Sequence, residues 1–170
     1  MKIETLKKFI SEDFILKFKK EGIKRLYPSQ EEAIKKGLFD SKDLVISTPT
    51  ASGKTLIATL AIINHLSLNK GKAIYIVPLV ALAVEKYNYY KEFFKGKFRV
   101  AISVGDFDSE DSWLRHYDLI IVTSEKLDSL IRHHADWIRQ TSLLIVDEIH
   151  LLNDFSRGPT LEILLTLLKR

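Results

Sequence analysis

The stretch Thr48-Pro49-Thr50-Ala51-Ser52-Gly53-Lys54-Thr55 decides how the rest of this sequence is read. It follows an apolar run, Leu44-Ser47, that reads as a strand, and it opens a stretch, Gly53-Leu68, whose apolar residues Leu56, Ile57, Leu60, Ile62 and Ile63 have helical spacing. Strand, turn and helix in that order are the context in which a loop wraps a phosphate. Small residues at Ala51, Ser52 and Gly53 let successive N–H groups and the positive end of the helix face an anion. Lys54 adds a mobile ammonium suited to β- and γ-phosphates, and the Thr55 hydroxyl is a ligand for Mg²⁺. The pattern departs from G-x-x-x-x-G-K-T at its first position, where Thr48 replaces glycine.

Further along, Ser142-Leu143-Leu144-Ile145-Val146-Asp147-Glu148-Ile149-His150 is an apolar strand that ends in adjacent carboxylates. In an open parallel sheet the carboxyl ends of strands line the ligand crevice, which puts Asp147 on the same crevice as the loop. Asp147 then suits the water shell of Mg²⁺, and Glu148 suits placement of an attacking water. By itself a strand leaving the sheet through acidic residues is equally well a solvent-facing end.

Around these two anchors the pattern is α/β. Strands are expected at Leu44-Ser47, Ala73-Val77, Arg99-Val104, Leu119-Thr123 and Leu143-Asp147, in a mainly parallel sheet flanked by helices. Helices are expected at Gly53-Leu68, Ala81-Lys95 and Glu125-Arg139, the last with Ser124 as its N-cap, and at Leu161-Arg170. Two more, Thr5-Lys20 and Ser29-Leu38, precede the sheet. With no repeat or Gly/Ser linker, residues 1–170 read as one domain, an N-terminal helical part to residue 40 and an α/β core beyond it.

The 170 residues carry 26 Lys+Arg against 22 Asp+Glu, a formal charge of +4, which permits a nucleic-acid partner without requiring one. Zero cysteines excludes disulfides and thiolate chemistry, and with no secretory signal pattern or spanning segment it points to a cytoplasmic protein with no membrane partner. The lysine-rich opening, including Lys7, Lys17, Lys19 and Lys20, reads as the polar face of amphipathic helices. Lys86 reads either as a phosphate contact or as a solvated side chain, and the aromatic stripe Tyr87, Tyr89, Tyr90, Phe93, Phe94 reads as core packing plus a partner-domain contact, with base stacking as the other reading. His133-His134 lacks a third ligand at metal spacing.

Gly53-Lys54-Thr55 together with Asp147-Glu148-Ile149-His150 resembles the first motor domain, a RecA-like P-loop domain, of superfamily 2 DExH-box helicases. More narrowly, Thr50-Ala51-Ser52-Gly53-Lys54-Thr55, Val104-Gly105-Asp106-Phe107-Asp108-Ser109 and Gly158-Pro159-Thr160-Leu161-Glu162 resemble archaeal Hjm-type, Ski-like DNA repair helicases. The resemblance implies an ATP-binding motor that hydrolyses ATP to move 3′ to 5′ on DNA. Tyr27-Pro28-Ser29-Gln30 is similar to the family's Q motif, which gives Gln30 the adenine edge. Pro78-Leu79 matches motif Ia and Thr123-Ser124-Glu125-Lys126 matches motif Ib, so Pro78, Leu79, Thr123 and Ser124 are implied contacts for the nucleic-acid backbone. His150 and Arg157 are implied to couple the ATP site to that surface.

The same resemblance implies ATP and Mg²⁺ as cofactors, and single-stranded or branched DNA as partner. It also implies a monomer completed by a second motor domain and accessory domains, with little turnover from these residues alone. An RNA helicase of the same family, a nucleotide-switched interaction module without unwinding, and a phosphotransferase using the same loop are the other readings the residues leave open.

Overall fold

The computed structural model describes residues 1–49, 52–105 and 111–168. They fall into two compact units, residues 1–70 and 71–170.

In the first unit the long N-terminal helix expected over Thr5-Lys20 is broken. A 3-10 helix, Ile3–Lys8, is followed by α1, Glu12–Lys20. The polar position Ser11 stands in extended backbone between them and ends one helix before the next begins. The lysines lie on the polar face as expected, with Lys7 bonded to Glu12 at 2.6 Å and Lys19 to Glu4 at 2.7 Å. Ile3, Leu6, Phe14, Ile15 and Phe18 are buried on the other face. Helix α2, Pro28–Lys35, starts on a proline whose missing N–H costs nothing at a helix start, and α3, Lys54–Ser67, starts directly after Gly53.

Leu44-Ser47 does not form a strand. Val45 is 87% exposed and no segment among the described residues pairs with it. An apolar, β-branched composition favours extended backbone, but a strand also needs a neighbour for its ladder, and that is not written in the segment itself.

His65, on the last turn of α3, is buried. Burial first, and then the charge of Lys70, hold its imidazole below the ordinary histidine value of 6.5. Above that value the ring is neutral folded or unfolded; below it the unfolded chain takes a proton that the folded unit resists. Stability of the first unit is therefore expected to fall as pH drops through 6.5 and below it. Thermal melts across that window should show a shallower loss for His65→Gln, and an unchanged slope would refute the assignment.

The second unit is built on four parallel strands: β1 (Lys72–Val77), β2 (Val100–Ser103), β3 (Leu119–Thr123) and β4 (Thr141–Val146), in the order β2-β3-β1-β4. The central strands β1 and β3 are buried along their whole length, which explains the apolar runs 73–77 and 119–122 within them. β4 lies at an edge and is only half-buried despite an equally apolar sequence. Helix α4, Val80–Phe93, buries Tyr90 and Phe93 with Phe94 behind it, so these three members of the aromatic stripe are core, while Tyr87 and Tyr89 are half-buried.

The helix expected over Glu125-Arg139 is shorter. α5 spans Ser124–Arg132 and a separate 3-10 helix spans Asp136–Gln140. His134 sits at φ 55°, a left-handed turn that ends a helix whatever periodicity follows. Its N-cap is Thr123, one residue earlier than expected, whose Oγ1 accepts from the Lys126 N–H at 3.3 Å. The last helix, α6, runs Gly158–Leu168 and packs Leu161 and Leu164 into the core with Leu127, Leu130 and Trp137.

Candidate functional site

Thr50 and Ala51 lie outside the described residues, as do 106–109 of the second quoted motif. The rest of the loop in the first unit is locked onto itself. Ser52 Oγ donates to Thr48 Oγ1 at 2.6 Å, which gives the departing Thr48 a role that glycine could not fill. Lys54 Nζ donates to the carbonyls of Thr48 at 2.8 Å and Pro49 at 3.2 Å. Gly53 stands at φ 82°, and a Cβ there would come within 2.1 Å of Gln30 Nε2. Gly53 is therefore required twice, for its backbone angle and for lack of a side chain. Thr55, the next residue of α3, is half-buried.

Gln30 is 2% exposed, and both ends of its amide are used inside the unit. Its Oε1 accepts from the Tyr27 N–H at 2.8 Å, and its Nε2 donates to the Gly53 carbonyl at 3.0 Å. The glutamine thus ties the start of α2 to the loop. Tyr27, Pro28, Ser29, Thr48, Pro49 and Ser52 together line an open concavity beside it.

In the second unit all four strands are parallel, so the residues that follow them emerge at one end of the sheet. Pro78 follows β1, Ser124 follows β3 and Asp147 follows β4. These three line one concavity with Glu148, Arg157 and Leu161. Five residues expected for hydrolysis, strand contact and coupling are thereby brought together. Of the others, Leu79 is exposed at the start of α4, Thr123 is buried as a helix cap, and His150 is exposed and reaches Glu148.

Asp147 is held on both oxygens. Oδ1 accepts from the Glu148 N–H at 3.1 Å, and Oδ2 accepts from the Tyr75 hydroxyl at 3.1 Å. Burial first, then Tyr90 and the Asp147 charge, push the Tyr75 phenol far above its usual value, so it stays a donor. Lys86 Nζ lies 4.0 Å from the same Oδ2, its side chain 12% exposed. Lys86 is thus neither solvated nor on an open surface. Glu148 sits at φ 55°, a left-handed position that costs a non-glycine residue about 1 kcal/mol. Its Oε2 lies 3.2 Å from His150 Nδ1.

Downstream, Asp154 Oδ1 accepts from the Ser156 N–H at 2.9 Å, the Arg157 N–H at 3.0 Å and the Ser156 hydroxyl at 2.6 Å. Those bonds, the Ser156 hydroxyl first, hold its carboxyl below the ordinary range. They fix the turn that presents Arg157 to the concavity, and Gly158 packs so closely that a Cβ would meet the Leu152 carbonyl oxygen at 2.3 Å.

The donor set suits Mg²⁺. Among the described residues no three His, Cys, Asp or Glu converge as a closed metal cage. Within the first unit Thr55 offers a hydroxyl and within the second Asp147 offers a carboxylate, each a ligand type suited to an ion that keeps most of its shell in water and phosphate oxygens. Sequence reasoning missed Tyr75, an apolar-looking strand position, and the pairing of Asp111 with Lys126, where Lys126 Nζ lies 3.2 Å from Asp111 Oδ2 with its side chain 1% exposed.

A family model described as DEAD/DEAH box helicase matches residues 27–170. The chain is 48% identical over 166 residues to the ATP-dependent DNA helicase Hel308 of Thermococcus kodakarensis, covering 98% of this chain and 15% of that protein. It is 49% identical to the Hel308 of Pyrococcus horikoshii, again over 98% of this chain, and covers 23% of it. It is 54% identical to the Hel308 of Methanocaldococcus jannaschii over 92% of this chain and 14% of that one. The chain spans less than a quarter of the length of each of these relatives. A family match over most of the chain means that the chain belongs to the DEAD/DEAH box helicases.

Proposed function

We propose that this chain is an ATP-hydrolysing motor domain that drives movement along DNA and unwinding of it, in the 3′-to-5′ direction. The observation that carries this is the shared concavity of Asp147, Glu148 and Arg157 with Pro78 and Ser124, which sets residues suited to hydrolysis against residues suited to gripping a strand. The names of the relatives, ATP-dependent DNA helicases, support the same reading.

In this reading Lys54 leaves the carbonyls of Thr48 and Pro49 for the phosphates of ATP, and Ser52 and Gly53, with Thr50 and Ala51, supply the loop around them. Gln30 turns its amide from the Tyr27 N–H and the Gly53 carbonyl to the adenine edge, which it meets with one donor and one acceptor. Thr55 and Asp147 are the residues that would hold Mg²⁺, which would supply charge neutralisation on the phosphates. Glu148 accepts a proton from the attacking water and orients it in line with the γ-phosphorus. Arg157 and His150 report the state of that carboxylate to the strand. Grip comes from the backbone at Pro78 and Leu79 and from the start of α5 at Thr123 and Ser124, which reads phosphates and not bases. The partners of this reading are single-stranded or branched DNA, together with a second motor domain and accessory domains. Its setting is a monomer in the cytoplasm.

The test is strand displacement. A chimera carrying these 170 residues in place of the matching segment of the Thermococcus kodakarensis relative should separate a forked DNA duplex with ATP and not with a non-hydrolysable analogue. Nucleotide-dependent DNA binding without displacement would replace the motor reading with a switch module. Displacement of RNA duplexes alone would replace DNA with RNA.

A further inference from the structure

Asp147 Oδ2 has two suitors from outside the acidic motif, and they are of opposite character. The Tyr75 hydroxyl donates to it at 3.1 Å from the middle of β1, with the phenol 2% exposed and its ring 5.7 Å from that of Tyr90. That packing leaves the hydroxyl little freedom, so the bond fixes the rotation of the carboxylate. The Lys86 ammonium approaches the same oxygen at 4.0 Å from α4, and Glu85 Oε1 lies 3.6 Å from it on the other side. A lysine with a side chain 12% exposed next to a carboxylate with one 21% exposed is a resident counter-charge, and a divalent cation drawn to Asp147 meets it.

We propose that Tyr75 and Lys86 set the cation affinity of Asp147 from opposite directions, the phenol by holding the carboxylate in place and the ammonium by competing for the same oxygen. The proposal rests on the reading of Asp147 as the Mg²⁺ carboxylate. Tyr75 is a positioning residue: it touches neither substrate nor metal and acts through Asp147, as outer hydrogen-bond partners do at other metal sites. Lys86 keeps Asp147 paired in the cation-free state and is displaced electrostatically when a divalent ion enters, so the carboxylate is never left as an uncompensated charge.

The experiment measures binding of a fluorescent ATP analogue to the 170-residue chain as free Mg²⁺ is varied, and again in excess chelator. Tyr75→Phe, which keeps the ring, should raise the Mg²⁺ midpoint ~10-fold and leave chelator-state affinity unchanged. Lys86→Gln, which stays polar, is one atom shorter and drops the charge, should lower the midpoint several-fold, and Lys86→Arg, which keeps the charge, should leave it near the wild-type value. Damage to the fold would weaken binding in both conditions and for both residues, so shifts of one sign for both substitutions overturn the proposal. If Asp147→Asn moves the midpoint while Tyr75→Phe and Lys86→Gln do not, the proposal fails and the reading of Asp147 stands. If Asp147→Asn leaves the midpoint unmoved, that reading fails and the proposal with it.

Discussion

Glu148→Gln in the chimera is expected to cut DNA-stimulated ATP turnover by ~10²–10⁴-fold, the range that a well-placed general base contributes. Glutamine has the length and shape of the native side chain, and its amide oxygen can still meet His150 Nδ1, now 3.2 Å from the carboxylate. What it lacks is basicity. The backbone at φ 55° is strained for either residue alike, and the bond from the residue's own N–H to Asp147 Oδ1 does not involve its side chain. The substitution therefore isolates proton acceptance from geometry. Affinity for a fluorescent ATP analogue should hold within a few-fold. Turnover within tenfold of wild type would return Asp147-Glu148 to a solvent-facing strand end and leave the hydrolytic role without a residue.

The parts of the fold that were legible in the sequence are those where one segment carries its own signal. Strands β1 and β3 read as strands because both of their faces are buried, and α3 reads as a helix because its apolar residues recur every three or four positions. The Gly-Lys-Thr loop and the acidic strand end were legible for the same reason: phosphate and metal chemistry impose short, contiguous spacings. Leu44-Ser47 misled because pairing belongs to two segments, and composition speaks for only one. The break at His134 was hidden because a single left-handed residue overrides several periodic ones. In the candidate site, Gln30 was found by its motif, but its bonds to Tyr27 and Gly53 depend on how the loop closes. Tyr75 was invisible since an inward strand tyrosine looks like core until its hydroxyl is traced to Asp147.

The same blindness applied to Lys126, and it leads to the second large effect: Asp111→Asn is expected to destabilise the second unit by about 3–5 kcal/mol, the cost of removing one partner from a buried ion pair. Lys126 Nζ lies 3.2 Å from Asp111 Oδ2 with only 1% of its side chain exposed, and Ser103 Oγ donates to that same oxygen. The cluster joins the end of β2, the left-handed Asp111 at φ 41° and the first turn of α5. Asparagine tolerates that backbone about as well as aspartate, so the substitution removes charge without adding strain. The ammonium of Lys126 then stays in a dry site without its carboxylate, directly behind Thr123 and Ser124. Adding Lys126→Met should recover most of the loss, because an apolar side chain at that buried position leaves no charge to compensate. Urea unfolding of wild type, both single variants and the double variant gives the coupling directly. A cost below about 1 kcal/mol for Asp111→Asn, or no recovery in the double variant, would mean that the pair does not hold the start of α5.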